Sequence, residues 1–276
     1  MQEKKHRQIS PHADRMGRYI GQLRVQKGIT LKALSQGLCC YLNKIENGER
    51  QAGKLLMDAF FLRLGHPVDL FGRILNHKEF TKWTQRQEII SHLRVGNAEN
   101  AGECAQNYFV DPSCVLDRQF LAIVEINCLS LAGTPAKELL PLVTNALLMT
   151  QPDFGKVPIN KLLLSRNEER LLAAYWQLRE KLEGNAAVAE DYRALGLRFE
   201  PSSNESVQLL VPCEDPGYVY CINQVIRSRR ALLGFSQEDL SDDACGVRSV
   251  SRIENEDRKL QRKNRKLLLR KVNMSG

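Results

Sequence analysis

The sequence predicts an all-α protein in three parts, with two copies of one small helical unit at its ends. The segment GITLKALSQGLCCYLNKIENGER, which begins at Gly28, is repeated about 206 residues later as GFSQEDLSDDACGVRSVSRIENEDR, which begins at Gly234. Between the copies, amphipathic stretches of helical period alternate with glycine-containing breaks, and no strand pattern appears between Glu79 and Gly196.

Both copies have the order of residues that a pair of short helices needs. Each runs through a glycine, an apolar residue and Thr30 or Ser236, then a Leu-Ser pair, a cysteine and a closing Ile-Glu-Asn. The hydroxyl is predicted to cap the following helix, and the glycine is predicted to end the amphipathic stretch before it, over 19–27 or 222–233. A turn of about three to four residues and a second short helix complete a helix-turn-helix, whose second helix can enter the major groove of DNA.

On these residues the chain resembles the λ-repressor/xenobiotic-response-element type of helix-turn-helix transcriptional regulator. The Leu-Ser-x-x-x-Cys and Ile-Glu-Asn residues are similar to those of the Rgg and PlcR regulators of Gram-positive bacteria. The resemblance implies an N-terminal five-helix-type helix-turn-helix domain over 1–66 and a second helix-turn-helix domain over 221–276.

The two copies differ in length. Thirteen residues separate Leu240 from Ile253, but only eleven separate Leu34 from Ile45. Two residues are therefore missing from the turn or from the start of the second helix of the first copy. We expect the C-terminal unit to read DNA sequence better, and the N-terminal unit to bind the DNA backbone weakly or to serve as a scaffold.

Charge is segregated along the chain. Residues 1–66 hold 12 Lys/Arg and 5 Asp/Glu, and 221–276 hold 13 and 7, whereas 67–220 hold 15 and 20. Positive charge concentrated in the two predicted DNA-binding units indicates a polyanionic partner, here double-stranded DNA. The alternative is that these lysines and arginines simply lie on solvent-exposed helix faces and bind no partner.

The acidic middle is predicted to be a series of helix pairs over 67–200, followed by a linker over 201–220. The predicted helices cover 80–93, 98–109, 114–131, 135–149, 167–183 and 186–195, and short extended pieces are possible at 207–211 and 218–220. The pairs span about 30 to 36 residues, close to the ~34 of a tetratricopeptide hairpin, to which they bear a loose resemblance. Such hairpins stack into a solenoid with a concave groove.

The resemblance to Rgg/PlcR regulators implies that a short secreted signalling peptide, as in quorum sensing, binds this groove. In that family asparagine side chains hold the peptide backbone, because a carboxamide offers both a donor and an acceptor. Asn127 and Asn145 are the candidates here, since each lies in a long apolar helix where asparagine is locally unfavourable. The alternative is that both are ordinary structural asparagines.

The resemblance also assigns candidate DNA contacts, with first-turn residues facing phosphate and second-helix residues facing base edges. In the C-terminal unit Arg248 and Arg252 are four apart and share one helix face, from which an arginine can bind guanine through two hydrogen bonds. Glu46 and Glu254 would repel phosphate if exposed, so we expect them to make structural hydrogen bonds instead. The full candidate set is Ser236, Gln237, Arg248, Ser249, Ser251, Arg252 and Arg258 in the C-terminal unit, and Thr30, Lys32, Tyr41, Asn43, Lys44 and Arg50 in the N-terminal unit.

Several other classes find no support in the sequence. No stretch approaches the ~20 apolar residues of a membrane span, and the polar start has no signal-peptide region, so a cytoplasmic protein is expected. Eight scattered cysteines without C-x-x-C, and five histidines without a zinc-binding pattern, predict no metal site, no cofactor and reduced thiols. No nucleophile–base pair or phosphate-binding glycine loop is present, so an enzyme is not expected.

The leading hypothesis is a bacterial, sequence-specific transcriptional regulator that is controlled by a peptide. A homodimer is the usual arrangement for two half-sites, although two units in one chain could imitate a dimer. The alternative hypothesis is a protein-interaction adaptor or antirepressor-like module with degenerate helix-turn-helix units, which the shortened first unit favours. The chain stops where the last helix of the second unit should finish, as a fragment of a longer regulator would.

Overall fold

The computed structural model describes residues 11–66, 68, 73–184, 188–189, 219–241, 245–255 and 262–272. The fold of this part of the chain is mostly α-helical, as predicted. Thirteen described helices follow in order: α1 (Pro11–Gln26), α2 (Leu31–Ser35), α3 (Leu42–Glu46), α4 (Lys54–Arg63), α5 (His77–Arg94), α6 (Ala98–Gln106), α7 (Val115–Leu131), α8 (Ala136–Thr150), α9 (Arg166–Glu183), α10 (Ile222–Leu232), α11 (Gln237–Leu240), α12 (Val247–Glu254) and α13 (Arg262–Lys271). Two short strands, β1 (Arg73–Leu75) and β2 (Val219–Cys221), and a 3₁₀ turn (Ile159–Lys161) complete the described elements.

Helices α1–α4 enclose the first hydrophobic core. Its fully buried members include Ile20, Leu34, Ile45, Phe60 and Phe61, which come from all four helices. Residues 11–66 thus hold four helices, and the five-helix arrangement expected over 1–66 stays a prediction because residues 1–10 lie outside the described residues. Burial of such aliphatic and aromatic side chains, worth roughly 1.5–3 kcal/mol each, is what holds helices as short as α2 and α3 in place.

Helices α10–α13 enclose a separate core of the same kind, with Ile226, Leu240, Val250 and Ile253 at its centre. Six positions separate α2 from α3 and also α11 from α12, and in the first unit, where all six are described, the connection is longer than the predicted three to four residues. The units differ in the next helix instead, because α3 has five residues and α12 has eight. The two residues missing from the first copy therefore shorten the start of its second helix.

Helices α5–α9 form the middle of the molecule, and each packs against the next along the chain. One core joins α5, α6 and α7, and a second joins α7, α8 and α9. Side-chain caps begin several of these helices, as when Asn76 accepts from the amide of Glu79 at 3.0 Å. The predicted helices from 80 to 183 are confirmed with small shifts of their ends. Most of the predicted helix 186–195 lies outside the described residues. The extended piece predicted at 207–211 also lies outside them.

Strands β1 and β2 pair in parallel, with Ile74 opposite Tyr220. Each strand directly precedes a helix, since β1 is followed by α5 and β2 by α10. This ladder ties the start of the C-terminal unit to the start of the helical stack. The strand at 219–221 corresponds, one residue later, to the extended piece predicted at 218–220, whereas β1 was not predicted.

The N-terminal unit is packed against the helical stack at the α2–α3 turn and at α4. Arg63 forms a buried ion pair with Glu168 of α9 and donates to the carbonyl of Thr150 at 2.9 Å. Gly37 has φ +69°, and a Cβ there would lie 2.1 Å from the Thr150 carbonyl oxygen. Only glycine suits this backbone conformation and this close approach. Gln36 adds a hydrogen bond to Asp153.

Candidate nucleic-acid interface and adjoining cleft

Each terminal unit contains an arginine–glutamate pair at the equivalent position. In the first unit Arg24 Nε and Nη2 each donate to the Glu46 carboxylate at 2.7 Å, and Nη1 donates to the Ile29 carbonyl at 2.9 Å. In the second unit Arg230 makes the same three bonds, to Glu254 at 2.7 and 3.0 Å and to the Phe235 carbonyl at 2.8 Å. The expectation that Glu46 and Glu254 form structural hydrogen bonds is confirmed.

Equivalent helix caps also occur in both units. Gly28 and Gly234 end the first helix of each unit with φ of +65° and +69°. Thr30 Oγ1 accepts from the amide of Ala33 at 3.1 Å, and Ser236 Oγ accepts from the amide of Asp239 at 3.2 Å. Both predicted N-caps are therefore confirmed.

A cation at the end of the fourth helix closes each unit. Arg63 Nη1 donates to the carbonyls of Leu34 and Gln36, and Lys271 Nζ donates to those of Leu240 and Ser241. Carbonyl groups at a helix C-terminus lack intrahelical partners and carry partial negative charge, so a cation there satisfies both needs. The duplication thus extends to all four helices of each unit.

The hydrogen bonds of the Arg230–Glu254 pair change the pKa of the Glu254 carboxyl group. Burial raises the pKa of Glu254, but hydrogen bonds from Arg230 and Gln237 lower it by more in sum, and the net pKa lies below its usual value. Hydrogen bonds from the Ser236 side chain and amide likewise lower the pKa of Asp239. Both carboxylates are ionised at neutral pH and belong to the scaffold of the unit.

Helix α12 presents a polar face to solvent. Arg248 and Arg252 are exposed, Ser249 and Ser251 are half-buried, and Val250 and Ile253 are buried in the core of the unit. Ser236 is exposed at its cap position, whereas the Gln237 side chain donates to Glu254 at 2.9 Å. Arg258 lies outside the described residues. The structure therefore places Arg248, Arg252 and Ser236 at the surface of the C-terminal unit.

In the N-terminal unit the candidate residues fall into two groups. Lys32, Asn43 and Lys44 are exposed, as is the cap residue Thr30. Tyr41 and Arg50 instead stack on each other, with the guanidinium carbon 3.5 Å from the ring centroid, and both line a cleft between this unit and the helical stack.

This cleft has a volume of about 340 Å³ and is bounded by the N-terminal unit and by the helical stack. That volume lies in the range of small-ligand sites. Among the described residues its lining includes five cationic side chains: Arg50, Lys54, Lys78, Lys82 and Arg86. The lining also holds two carboxylates, Glu79 and Asp111, and apolar and aromatic groups, chiefly Leu38, Tyr41, Leu56, Trp83, Val115 and Leu116.

Asp117 is the anionic partner of two of the cationic side chains that line the cleft. This fully buried carboxylate pairs with Lys82 and with Arg86, and it accepts from the Tyr108 hydroxyl at 2.8 Å. Arg86 also lies 3.8 Å from the Phe120 ring centroid. A buried carboxylate with these partners holds the lysine and arginine side chains in fixed positions.

Three other groups of the cleft are left to face a ligand. Arg50 and Lys78 each cover an aromatic ring, Tyr41 and Phe109 respectively, and no ion pair is found for either within the described residues. The indole Nε1 of Trp83 is buried, and no acceptor bonds to it in the part of the chain that the structure describes. An unmatched buried donor is costly, so an acceptor bound in the cleft would relieve it.

The two asparagines expected to grip a peptide are not placed together at a surface. Asn127 is 1% exposed and donates to the Ile123 carbonyl of its own helix at 2.7 Å, so its side chain is not available to a ligand in this structure. Asn145 is exposed on α8.

Sequence reasoning missed the charged residues of the stack, although a signal was present. Arg86 lies three residues after Trp83 and four before Ile90, which puts it on the predicted apolar face of α5. Asp117 lies at the same kind of position, three residues before Phe120. A charged residue on an apolar face predicts a buried pair, but it does not name the partner.

Comparisons of the chain with protein-family models, with curated proteins and with solved structures return no match. Function is therefore inferred from the residues themselves. Within the described residues, no helix has both the length and the apolar character required to cross a membrane.

Proposed function

We propose that this chain is a sequence-specific DNA-binding transcriptional regulator of the λ-repressor/xenobiotic-response-element type, with the C-terminal unit as its main reader of sequence. The observation that carries the proposal is the repeated frame. The Arg24–Glu46 and Arg230–Glu254 pairs, the caps and the buried residues recur in both units. In the second unit this frame holds α12 with its arginines outward.

Helix length supports the C-terminal unit as the reader. Eight residues of α-helix extend about 12 Å, whereas the five residues of α3 extend about 7.5 Å. Arg248 and Arg252 are exposed one turn apart on α12, so both can reach base edges from one groove. An arginine that bonds guanine through two hydrogen bonds discriminates by roughly 1–3 kcal/mol.

The N-terminal unit is proposed to act mainly as a scaffold with weak backbone contacts. Its α2–α3 turn is packed on Thr150 through Gly37, and Tyr41 and Arg50 line the cleft. Lys32 and Lys44 remain exposed and suit phosphate contacts, which position a protein without reading sequence.

We further propose that a ligand bound in the helical stack controls DNA binding, and that the cleft beside Trp83 is its site. A short signalling peptide with a carboxylate would meet Arg50 and Lys78, and a carbonyl would accept from the Trp83 indole. Because Arg50 belongs to the N-terminal unit and Lys78 to α5, such a ligand would bridge the two. It would thereby favour one placement of the N-terminal unit over another.

The DNA proposal is tested by selecting bound duplexes from a random library with the full chain. The selected sequence is then titrated against scrambled DNA with the wild type and with Arg248→Ala/Arg252→Ala. We expect the double variant to lose its preference for the selected sequence while it keeps non-specific binding. The matched control is Arg94→Ala/Arg118→Ala, which removes two exposed arginines of α5 and α7 and should leave the preference intact.

The alternative function, a protein-interaction adaptor, is favoured by the packing of the α2–α3 turn of the N-terminal unit against the stack. An adaptor would enrich no sequence in the selection, and the double variant would behave as the wild type. The mass of the complex on the selected DNA would also show whether two chains bind, as expected for a homodimer on two half-sites.

The ligand site is tested through Trp83, one of two tryptophans in the chain. In a Trp176→Phe background, emission from Trp83 is followed during titration with pools of random hexapeptides. Pools with free C-termini should change the emission and amidated pools should change it less. Lys78→Ala should weaken the response, whereas Lys137→Ala, an exposed lysine of α8, should not. An equal response in all of these would exclude the cleft as the site.

A further inference from the structure

Three side chains of types that can bind a metal lie close together at the C-terminal half of α5, two of them from α5 and one from α6. The ligand atoms of Glu88, His92 and Cys104 all lie within 4.8 Å of one another. Glu88 and His92 are four residues apart and so share one face of α5. Cys104 comes from α6, which packs against α5. Sequence spacing gave no sign of this group, because the cysteine belongs to a different helix.

The chemistry of the three groups suits a zinc ion. A carboxylate oxygen, an imidazole nitrogen and a thiolate sulfur are the standard ligands of Zn²⁺, with bond lengths of about 2.0–2.3 Å. Glu88 is exposed, so its side chain can move to close the remaining gap, while His92 and Cys104 are half-buried and more firmly placed. Among the described residues, none of the three side chains forms a hydrogen bond or an ion pair that a metal would have to displace.

The surroundings favour a cation. Glu103 precedes Cys104 in α6 and adds a negative charge beside the group. The exposure of Glu88 leaves one side of the group open to solvent, so a water molecule can supply a fourth ligand. Three protein ligands and one water complete the tetrahedral arrangement that zinc prefers.

We propose that Glu88, His92 and Cys104 form a three-ligand Zn²⁺ site that joins α5 to α6. On binding, the Cys104 thiol loses its proton to solvent and its sulfur bonds to the metal, with no change in oxidation state. The ion would hold the two helices together next to the half of α5 that lines the cleft. The site is independent of the proposed DNA contacts, because none of its ligands belongs to a terminal unit.

The test uses the full-length, reduced protein. Zn²⁺ titrated by calorimetry should bind with one ion per chain at this site and raise the melting temperature by mass action. Co²⁺ in place of Zn²⁺ should give a near-ultraviolet thiolate-to-cobalt charge-transfer band. Cys104→Ser should abolish that band, and His92→Gln and Glu88→Gln should each weaken Zn²⁺ binding at least about tenfold.

Matched controls separate this site from other thiols and carboxylates. Cys128→Ser removes a half-buried cysteine of α7, and Glu99→Gln removes an exposed glutamate of α6. Both should retain the band and the affinity. If Cys104→Ser fails to fold, as judged by circular dichroism, His92→Gln alone decides the outcome. The proposal is overturned if the wild type shows no charge-transfer band, or if His92→Gln binds Zn²⁺ as tightly as the wild type.

Discussion

The guanidinium of Arg63 and the carboxylate of Glu168 form an ion pair with Nη2 2.5 Å from Oε1 and with both side chains only 1% exposed. Arg63 occupies the position in the N-terminal unit that Lys271 occupies in the C-terminal unit. Both close their own unit by donating to carbonyls at the end of its second helix. Arg63 additionally reaches Glu168 of α9, so the residue that closes the N-terminal unit also joins that unit to the helical stack.

Replacing Arg63 by methionine should destabilise the protein strongly. The change leaves Glu168 buried without its cation, which typically costs about 3–5 kcal/mol. Urea unfolding followed by circular dichroism measures the loss. Arg179→Ala is the control, because it breaks a more exposed pair with Glu183 and should cost at most about 1 kcal/mol. Similar losses in both variants would contradict a specific role for the buried pair.

Gly37→Ala should be more damaging than Gly28→Ala. Both glycines have positive φ, +69° and +65°, so each substitution carries a backbone penalty of about 1–2 kcal/mol. Only at Gly37 would the added Cβ also collide with the Thr150 carbonyl, whereas space is open around Gly28. The melting temperatures and the rates of limited proteolysis should show this difference. Equal effects would mean that the close contact with α8 does not form in solution.

Glu254→Gln should destabilise the C-terminal unit in a pH-dependent way. The folded-state pKa of Glu254 is lowered, so its stabilisation is complete above the unfolded value of about 4.3 and is lost as pH falls below it. At pH 7 the variant should lose about 1.5–3 kcal/mol, the worth of hydrogen bonds to a charged group. The difference should shrink between about pH 5 and pH 3 in thermal melts. Glu238→Gln, at an exposed position in α11, should change little at any pH.

The salt dependence of DNA binding should show which units touch phosphate. Affinity should fall with salt on a double-logarithmic plot by about 0.9 for each phosphate neutralised. Lys32→Ala/Lys44→Ala should make this slope shallower by about 2 and leave the sequence preference unchanged. Lys137→Ala/Lys161→Ala, two exposed lysines of the stack region, are the control. A changed sequence preference in Lys32→Ala/Lys44→Ala would instead make the N-terminal unit a reader of bases.

Local signals in the sequence predicted local structure well. Thr30 and Ser236 cap helices as expected because an N-cap needs only the residue itself and the next three amides. The expected repulsion between a carboxylate and phosphate also predicted, correctly, that Glu46 and Glu254 form structural hydrogen bonds. The length of the α2–α3 connection was underestimated, since α3 begins only at Leu42, with six residues between it and the end of α2.

Long-range placement could not be predicted in the same way. Asn127 looked like a ligand residue by its position in an apolar helix, but helix packing buries it. Tyr41 and Arg50 were predicted to contact DNA, and that stays a prediction, but the sequence did not show that both would line a cleft beside the stack. Their roles depend on neighbours that are distant in the chain.

The sequence by itself determined the helical class, the duplication of the terminal units and the outward position of Arg248 and Arg252 on an amphipathic helix. These follow from periodicity, capping and register, which are properties of neighbouring residues. Only the tertiary structure decided that Arg63 meets Glu168 across 105 positions, and that Cys104 joins Glu88 and His92. The physical reason is that such contacts depend on how whole helices are placed, and many placements bury the same apolar faces equally well.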